Sequence, residues 1–124
     1  MTAAEYSGHI QLFATSAESS VRWRLLSGNN REIGRGSTSY PDMESCLLDL
    51  KDLQMALGDL EGRTGRFGTA EWRWRLTHGG RLIAESIRGF DRLIRCEQGL
   101  AQFVAQMSEA EISSTVMISN ARRW

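Results

Sequence analysis

The residues with the clearest chemical potential are arginines placed on either side of a tryptophan, in a pattern that occurs twice. Its four members are Arg22, Arg24, Arg73 and Arg75. A guanidinium group donates paired hydrogen bonds to phosphates and carboxylates, and it stacks on aromatic rings and bases. The pattern therefore favours recognition of an anionic partner, and single-stranded RNA or DNA is one candidate.

The overall charge weakens the nucleic-acid hypothesis. The chain carries 15 Lys and Arg residues against 15 Asp and Glu residues, so its formal net charge is zero, whereas nucleic-acid-binding domains are commonly basic. Glu32, Glu71 and Glu85 are also placed to neutralise the arginines across neighbouring strands. Binding of nucleic acid through the arginines is therefore the weaker alternative.

Charge is nevertheless segregated along the chain. Residues 42–61 hold six acidic residues and one lysine, and residues 62–90 hold six arginines and two glutamates. Opposite patches on one small body favour binding to a charged protein or self-association. A protein partner or a second copy of this chain is therefore the preferred expectation.

Catalytic chemistry finds little support in the sequence. The two histidines, His9 and His78, fall at a strand start and in a turn, and the two cysteines form no Cys-x-x-Cys motif. Phosphate-binding loops, nucleophile elbows and metal-ligand spacings are not present in the sequence. We therefore expect no catalytic residue, no cofactor and no metal, and an enzymatic or small-molecule-binding role ranks below an interaction role.

Strands position the arginines. Trp72, Trp74 and Leu76 alternate with polar residues, which is the period of a strand with one dry and one wet face. Residues 78–80 supply a turn and residues 81–86 a returning strand, which together predict a β-hairpin. Residues 21–25 and 31–34 predict a second hairpin in the same way.

Parity along these strands separates the aromatic residues from the basic ones. Trp23 and Trp74 are predicted to lie on the inner face of the sheet, under the helices, and the four arginines on the opposite face. Trp72 shares the inner parity, but its counterpart is Val21, so it is either core or an aromatic plate at the rim that could take part in binding. Each hairpin is preceded by a candidate strand, at residues 9–13 and at residues 66–68.

Two helices are predicted after the hairpins, because the apolar period changes from two to about 3.6 residues. Asp42 is placed to cap the first helix, and the second is expected to begin near Asp91. The helical residues expected in the core are Cys46, Leu50, Cys96 and Leu100. The two cysteines are either small buried hydrophobic residues or a pair able to form a disulfide. A final strand is predicted at residues 112–119.

The two halves of the chain correspond at a nearly constant interval. Tyr40 corresponds to Phe90 and Cys46 to Cys96, each fifty residues further along the chain. Repeats of this length indicate supersecondary units that bury their apolar faces against each other. We predict one domain over residues 1–124, built of two repeats at about 9–58 and 63–119, with a tail at 120–124.

This double pattern resembles the YegP-like family. The resemblance rests on residues 22–25, 29–34 and Tyr40, and on residues 72–76, 79–84 and Phe90, and it spans residues 10–107. It implies an α+β fold in which two tandem β-β-β-α(-β) repeats form one antiparallel sheet, pseudo-twofold symmetric, with two helices packed on one face and terminal strands exchanged between repeats. Residues 112–119 would be one exchanged strand, whereas residues 59–64 are polar and short where the other should be. The family implies no particular activity.

Composition and the N-terminal segment bear on location. The chain is 41% hydrophobic and 24% charged, which is typical of a globular protein. Residues 1–7 lack the basic start and apolar run of a signal peptide. We therefore expect a cytoplasmic protein without membrane contact that acts as a non-catalytic interaction module. Pairing of edge strands between two copies could make it a dimer.

Overall fold

Seven strands and two α-helices make up the part of the chain that the computed structural model describes, residues 8–15 and 19–119. In chain order they are β1 (His9–Thr15), β2 (Arg22–Leu26), β3 (Glu32–Gly36), α1 (Met43–Met55), β4 (Glu61–Gly65), β5 (Arg73–His78), β6 (Arg81–Glu85), α2 (Leu93–Glu109) and β7 (Glu111–Ser119). The fold class is α+β, as predicted. Residues 1–7 and the predicted tail at 120–124 lie outside the described residues.

The strands form one open, mixed sheet in the order β4-β5-β6-β3-β2-β1-β7. Five of its strand pairings are antiparallel. The sixth is parallel, with β7 running beside β1 so that His9 lies opposite Glu111. The prediction of a wholly antiparallel sheet is therefore wrong. α2 carries the chain from β6 to the far edge of the sheet, where β7 lies beside β1.

The strand that precedes the second hairpin lies earlier than predicted. Residues 66–68 do not form it, because Phe67 and Gly68 have φ angles of 45° and 84° and belong to a turn. The strand is β4, which pairs antiparallel with β5 from Glu61 opposite Thr77. The polar residues 59–64 thus do contribute a strand at the place where the resemblance implies an exchanged one. β4 is an edge strand with mostly exposed side chains, so it shows no apolar alternation.

Both predicted hairpins form, each with a bulge that shifts the register by one residue near its turn. The turn between β2 and β3 places Asn30 at φ 63°, and the turn between β5 and β6 places Gly79 and Gly80 at φ 58° and 82°. Asparagine and glycine adopt this left-handed region more readily than other residues. These turns set which side chains face each other across the strands.

The helices begin and end close to the predicted positions. The Asp42 carboxylate accepts a hydrogen bond from the Ser45 amide at 2.7 Å, so it caps α1 as predicted. A single 3₁₀ turn follows α1 at Leu57–Asp59. α2 begins at Leu93, and Arg92 rather than Asp91 occupies the capping position. No helix in the described ranges is both long and apolar enough to span a membrane.

Buried side chains from both helices join the inward-facing strand residues in one hydrophobic cluster. Its centre is Phe103 of α2, whose ring centroid lies 6.4 Å from that of Trp23 and 4.6 Å from that of Trp74. Both tryptophans are buried. Of the other residues expected in the core, the fully buried ones are Cys46, Leu50 and Cys96. Leu100 is only partly buried, over Gly62 of the edge strand β4.

Candidate functional site

The sheet face opposite the hydrophobic cluster is called the open face here, and it carries the arginines. Along β2 the buried Trp23 and Leu25 alternate with the half-buried Arg22 and Arg24. Along β5 the buried Trp74 is flanked by half-buried arginines in the same way. Because successive side chains of a strand point to opposite faces, this alternation places the arginines on the open face.

Strand register places most of these arginines in one line across the sheet. Register partners join Arg63 to Arg75, Arg75 to Glu85, and Glu85 to Arg35. The line continues from Arg35 to Arg24 and from Arg24 to Gln11. We call this set, Arg63, Arg75, Glu85, Arg35, Arg24 and Gln11, the arginine row. With strands spaced about 4.8 Å apart, it spans about 24 Å of the open face.

The two ends of the row differ in how their charges are compensated. On one side the Glu32 carboxylate lies 3.1 Å from Arg35 and 3.8 Å from Arg24, and Arg24 Nε also donates to Gln11 at 2.8 Å. These are the only ion pairs of the described residues. Arg63 and Arg75 are therefore the arginines of the row with no carboxylate bound to them in that part of the chain.

Aromatic rings support the guanidinium groups of the row. The central carbon of the Arg75 guanidinium lies 4.0 Å from the centroid of the Phe67 ring, and that of Arg24 lies 4.9 Å from the Phe13 ring. Arg35 lies 6.0 Å from the same Phe13 ring. Stacking of this kind holds an arginine side chain in one orientation with its donors free at the edge of the plane. It also covers the rings that could otherwise stack on bases.

Two of the predicted binding residues, Arg22 and Arg73, lie beside the row and not in it. Arg22 is the register partner of Phe13, and Arg73 that of Gly65. The Nε atoms of both are buried and have no hydrogen-bond partner, and Arg73 Nη1 donates to the Ile87 carbonyl at 3.2 Å. Their side chains therefore lie close against the sheet.

Trp72, the remaining predicted binding candidate, is at the rim of the core. It is partly buried, and its backbone exchanges two 2.7 Å hydrogen bonds with Phe90. The guanidinium of Arg66 lies 4.9 Å above its ring. The structure thus places Trp72 apart from the arginine row.

Arg35 and Arg63 are row members that sequence reasoning missed. Arg35 could have been found from the β2–β3 hairpin, because a hairpin places it opposite Arg24. Arg63 had no such signal, because β4 has no apolar alternation to reveal a strand.

The buried ionisable groups lie on the other side of the sheet. Burial, assisted by the nearby charge of Asp49, raises the pKa of the Cys46 thiol to about 12, and burial also raises the pKa of Cys96. Both cysteines are free and buried. They are therefore held as neutral thiols. No three His, Cys, Asp or Glu residues group as metal ligands within residues 8–15 and 19–119.

Comparison with known proteins identifies the fold. The structure is similar to the solution NMR structure of yegP from E. coli, a protein of unknown function, with a TM-score of 0.64 and 19% identity over 94% of this chain and 96% of that one. It is also similar to a UPF0339 protein from Shewanella oneidensis, with a TM-score of 0.63 and 13% identity over 90% and 91% of the two chains. No family model and no curated protein sequence matches. The resemblance to the YegP-like family is thus confirmed at the level of the fold.

Proposed function

We propose that this chain is a non-catalytic interaction module that binds an acidic segment of another protein through the open face of its sheet. The observation that carries the proposal is the arginine row, in which register aligns four arginines and a single glutamate across five neighbouring strands. Carboxylates are the natural partners of such a row, because a guanidinium binds a carboxylate through two parallel hydrogen bonds.

The half of the row on β4 and β5 is the best candidate for the first contact. Arg63 is exposed, and Arg75 is oriented by the Phe67 ring. Neither arginine pairs with a carboxylate among the described residues. A carboxylate of the partner can therefore bind them without first breaking an ion pair within this chain. The other half, already bound by Glu32, would add specificity more than affinity.

A protein segment is favoured over nucleic acid for two reasons. The open-face rings Phe13 and Phe67 are stacked under guanidiniums, which leaves no free aromatic pair for bases. The zero net charge also gives little of the long-range attraction on which phosphate backbones depend.

We further infer that the row results from two tandem repeats, about 9–58 and 63–119, related by a pseudo-twofold axis. An isolated antiparallel β-bridge at the same place in each repeat supports this inference: Val21 pairs with Tyr40 in the first repeat, and Trp72 pairs with Phe90 in the second. At the proposed axis β3 pairs antiparallel with β6, and the equivalent residues Arg35 and Glu85 face each other. Duplication would thus have brought the arginines of two hairpins into one line.

Self-association is a second candidate, favoured by the outer side of α1. That side is exposed and carries Glu44 and Asp52 together with the apolar Leu48 and Met55, the last of these 88% exposed. An acidic helix of one copy could bind the arginine row of another. Because α1 and the arginine row lie on opposite faces of the sheet, such contacts would be head-to-tail and would build rings or open chains of copies.

The test uses a fluorescently labelled glutamate-rich peptide, with fluorescence anisotropy measured at low and at moderate salt. The double substitution Arg63→Gln and Arg75→Gln is expected to weaken binding by about tenfold or more, the factor that roughly 1.4 kcal/mol represents. The matched control removes the same charge from the exposed cap and first turn of α2, with Arg92→Gln and Arg95→Gln, and should bind like the wild type.

Three results would contradict the proposal: no binding at low salt, equal loss in both double variants, or tighter binding of a labelled single-stranded oligonucleotide than of the peptide. Light scattering, which measures the molar mass of the wild type at increasing concentration, distinguishes self-association from binding to another protein. A mass that rises with concentration and falls in the Arg63 and Arg75 variant would favour self-association.

A further inference from the structure

The indole nitrogen of Trp74 is a buried hydrogen-bond donor without an acceptor. Trp74 is fully buried, and its Nε1 has no hydrogen-bond partner. A buried donor left unpaired destabilises the folded chain, because it has given up its hydrogen bond to water without gaining another. The same side chain lines a cavity of about 230 Å³ between α2 and the β2–β3 turn. The residue that carries the unpaired donor thus also lines a cavity, and an oxygen of a ligand in that cavity would be stabilised if it reached the donor.

The corresponding tryptophan in the first half of the chain has its acceptor. The Trp23 side chain hydrogen-bonds to the Tyr40 hydroxyl, and that hydroxyl donates in turn to the Asp49 carboxylate. The cavity beside Trp23, of about 200 Å³, is lined by both Tyr40 and Asp49. There the chain itself provides the oxygen atoms that an indole N–H needs.

Both of those oxygen-bearing residues are replaced beside Trp74. Phe90 stands where the first half has Tyr40, and Gly99 where it has Asp49. A Cβ at Gly99 would lie 2.8 Å from Cζ of Phe90, so the glycine lets the aromatic ring lean against α2. With these two replacements, the chain has neither a hydroxyl nor a carboxylate beside Trp74 at the places equivalent to those of Tyr40 and Asp49. The Trp74 donor therefore stays unpaired.

The remaining cavity wall combines apolar and positively charged groups. Ile33, Ile87 and Phe90 provide apolar surface, and Arg31 and Arg88 line the same cavity. Neither arginine forms an ion pair with a described residue, whereas the lining carboxylate of Glu32 is already bound by Arg35. The charge left uncompensated at the cavity is therefore positive.

We propose that this cavity binds a small carboxylate with an apolar body, one oxygen of which accepts the Trp74 Nε1 proton while Arg31 and Arg88 attract its charge. Because the nitrogen itself is buried, the oxygen reaches it when the cavity wall moves. Phe90 is the apolar wall residue whose movement would open this path, since it is only partly buried and its ring packs on the helix at Gly99. The site lies on the helix side of the sheet and does not rest on the arginine row.

The test follows the tryptophan indole N–H signals of ¹⁵N-labelled protein by NMR while sodium benzoate is added, with benzamide as the neutral isostere. Benzoate is expected to shift the Trp74 indole signal saturably and to leave the Trp23 signal in place. Benzamide is expected to bind more weakly, because it lacks the charge that the arginines attract. The unmodified protein gives this readout, so the test does not depend on a variant that folds.

A glycine pair supplies the matched variants. Gly99→Ala places a methyl group against Phe90 and pushes the ring into the cavity, so benzoate binding should weaken about tenfold, equivalent to roughly 1.4 kcal/mol. Gly58→Ala, where a Cβ meets nothing within 4 Å, should bind benzoate like the wild type.

The proposal is overturned by any of three results: no saturable shift of the Trp74 signal, equal shifts of the Trp23 and Trp74 signals, or equal affinity for benzoate and benzamide. Unchanged affinity in Gly99→Ala would likewise reject this cavity as the place of binding. None of these results bears on acidic-peptide binding by the open face.

Discussion

At the scale of the residue, the hydroxyl of Tyr40 connects the buried indole of Trp23 to a carboxylate on α1. It accepts from the Trp23 side chain and donates to Asp49. Burial, followed by the hydrogen bond to Asp49, raises its pKa above the usual tyrosine range, so it stays protonated as a donor. A single oxygen therefore fixes the position of a core tryptophan relative to α1.

Tyr40→Phe should accordingly lower the free energy of unfolding by about 1–3 kcal/mol, because it leaves a buried indole donor unpaired. Urea denaturation followed by fluorescence measures the loss. The double-mutant cycle with Trp23→Phe is the control, since removing the donor first should make the tyrosine substitution much less harmful. Additive effects of the two substitutions would show that the hydroxyl acts elsewhere.

Stability should also fall at alkaline pH because of the buried thiols. The pKa of Cys46 is about 12 in the folded chain against an ordinary 9.0, so the unfolded chain loses this proton first. The protonated Cys46 thiol therefore makes its full contribution to the free energy of unfolding below about pH 9, and this contribution is lost as the pH rises toward about 12. Cys46→Ala should flatten this part of the pH profile of the urea midpoint, while Ser45→Ala at the neighbouring, half-buried position of α1 should not.

The arginines illustrate which parts of the site a sequence can reveal. Parity alone places Arg24 and Arg75 on the face opposite the tryptophans, because side-chain alternation is a local property of a strand. Their alignment with Arg63 depends on pairing between β4 and β5, which is a tertiary property. The resemblance between Tyr40 and Phe90 is visible in the sequence, but the unpaired Trp74 donor needs the packing around it.

At the scale of the element, β3 is the strand on which the core rests most closely. A Cβ at Gly36 would lie 2.3 Å from the Trp23 indole nitrogen, and one at Gly34 would lie 2.4 Å from the Phe103 ring. The two glycines alternate with larger residues along a central strand, so both face the core. The tryptophan and phenylalanine rings pack directly on the backbone of β3.

Gly36→Ala should therefore destabilise the fold by about 1–3 kcal/mol, as overpacking in a core usually does. This reverses the usual sign, because Gly→Ala at a permitted conformation stabilises by about 0.4–1 kcal/mol. Gly58→Ala is the matched control, since a Cβ there meets nothing and φ is not positive. Thermal unfolding of both variants checks the contrast, and equal shifts would refute close packing on β3.

The elements differ in how far the sequence predicts them. Hairpins and helices emerge from alternation, turn residues and the 3.6-residue period, all of which act within a few residues. β4 has no such pattern, and only its hydrogen bonds to β5 make it a strand. The parallel pairing of β7 with β1 is likewise a tertiary property that the residues of β7 alone do not reveal.

At the scale of the whole molecule, Phe103 joins the two halves of the sheet. Strands β3 and β6, which connect the halves, share only two register pairs, Arg35 with Glu85 and Gly36 with Ala84. Phe103 contacts the rings of both Trp23 and Trp74 above this short junction. Cooperativity between the halves therefore depends on the core more than on the strand pairing.

Phe103→Leu should lower the free energy of unfolding by about 1–3 kcal/mol and should also weaken cooperativity. The check compares unfolding curves from tryptophan fluorescence and from circular dichroism, which should coincide in the wild type and separate in the variant. Val104→Ala, at the neighbouring and only partly buried position, should keep the curves together. Coincident curves in Phe103→Leu would mean that the halves unfold as one without this ring.

The parallel pairing of β1 with β7 has a consequence for how the protein is made. One side of β1 pairs with β2, which follows it closely, whereas the other side awaits Glu111–Ser119, about a hundred residues later. At a ribosome adding about 5–20 residues per second, that side stays unpaired for several seconds. The nascent chain thus emerges with an open strand edge before its closing strand exists, and chaperone binding to β1 during synthesis should cease once β7 leaves the exit tunnel.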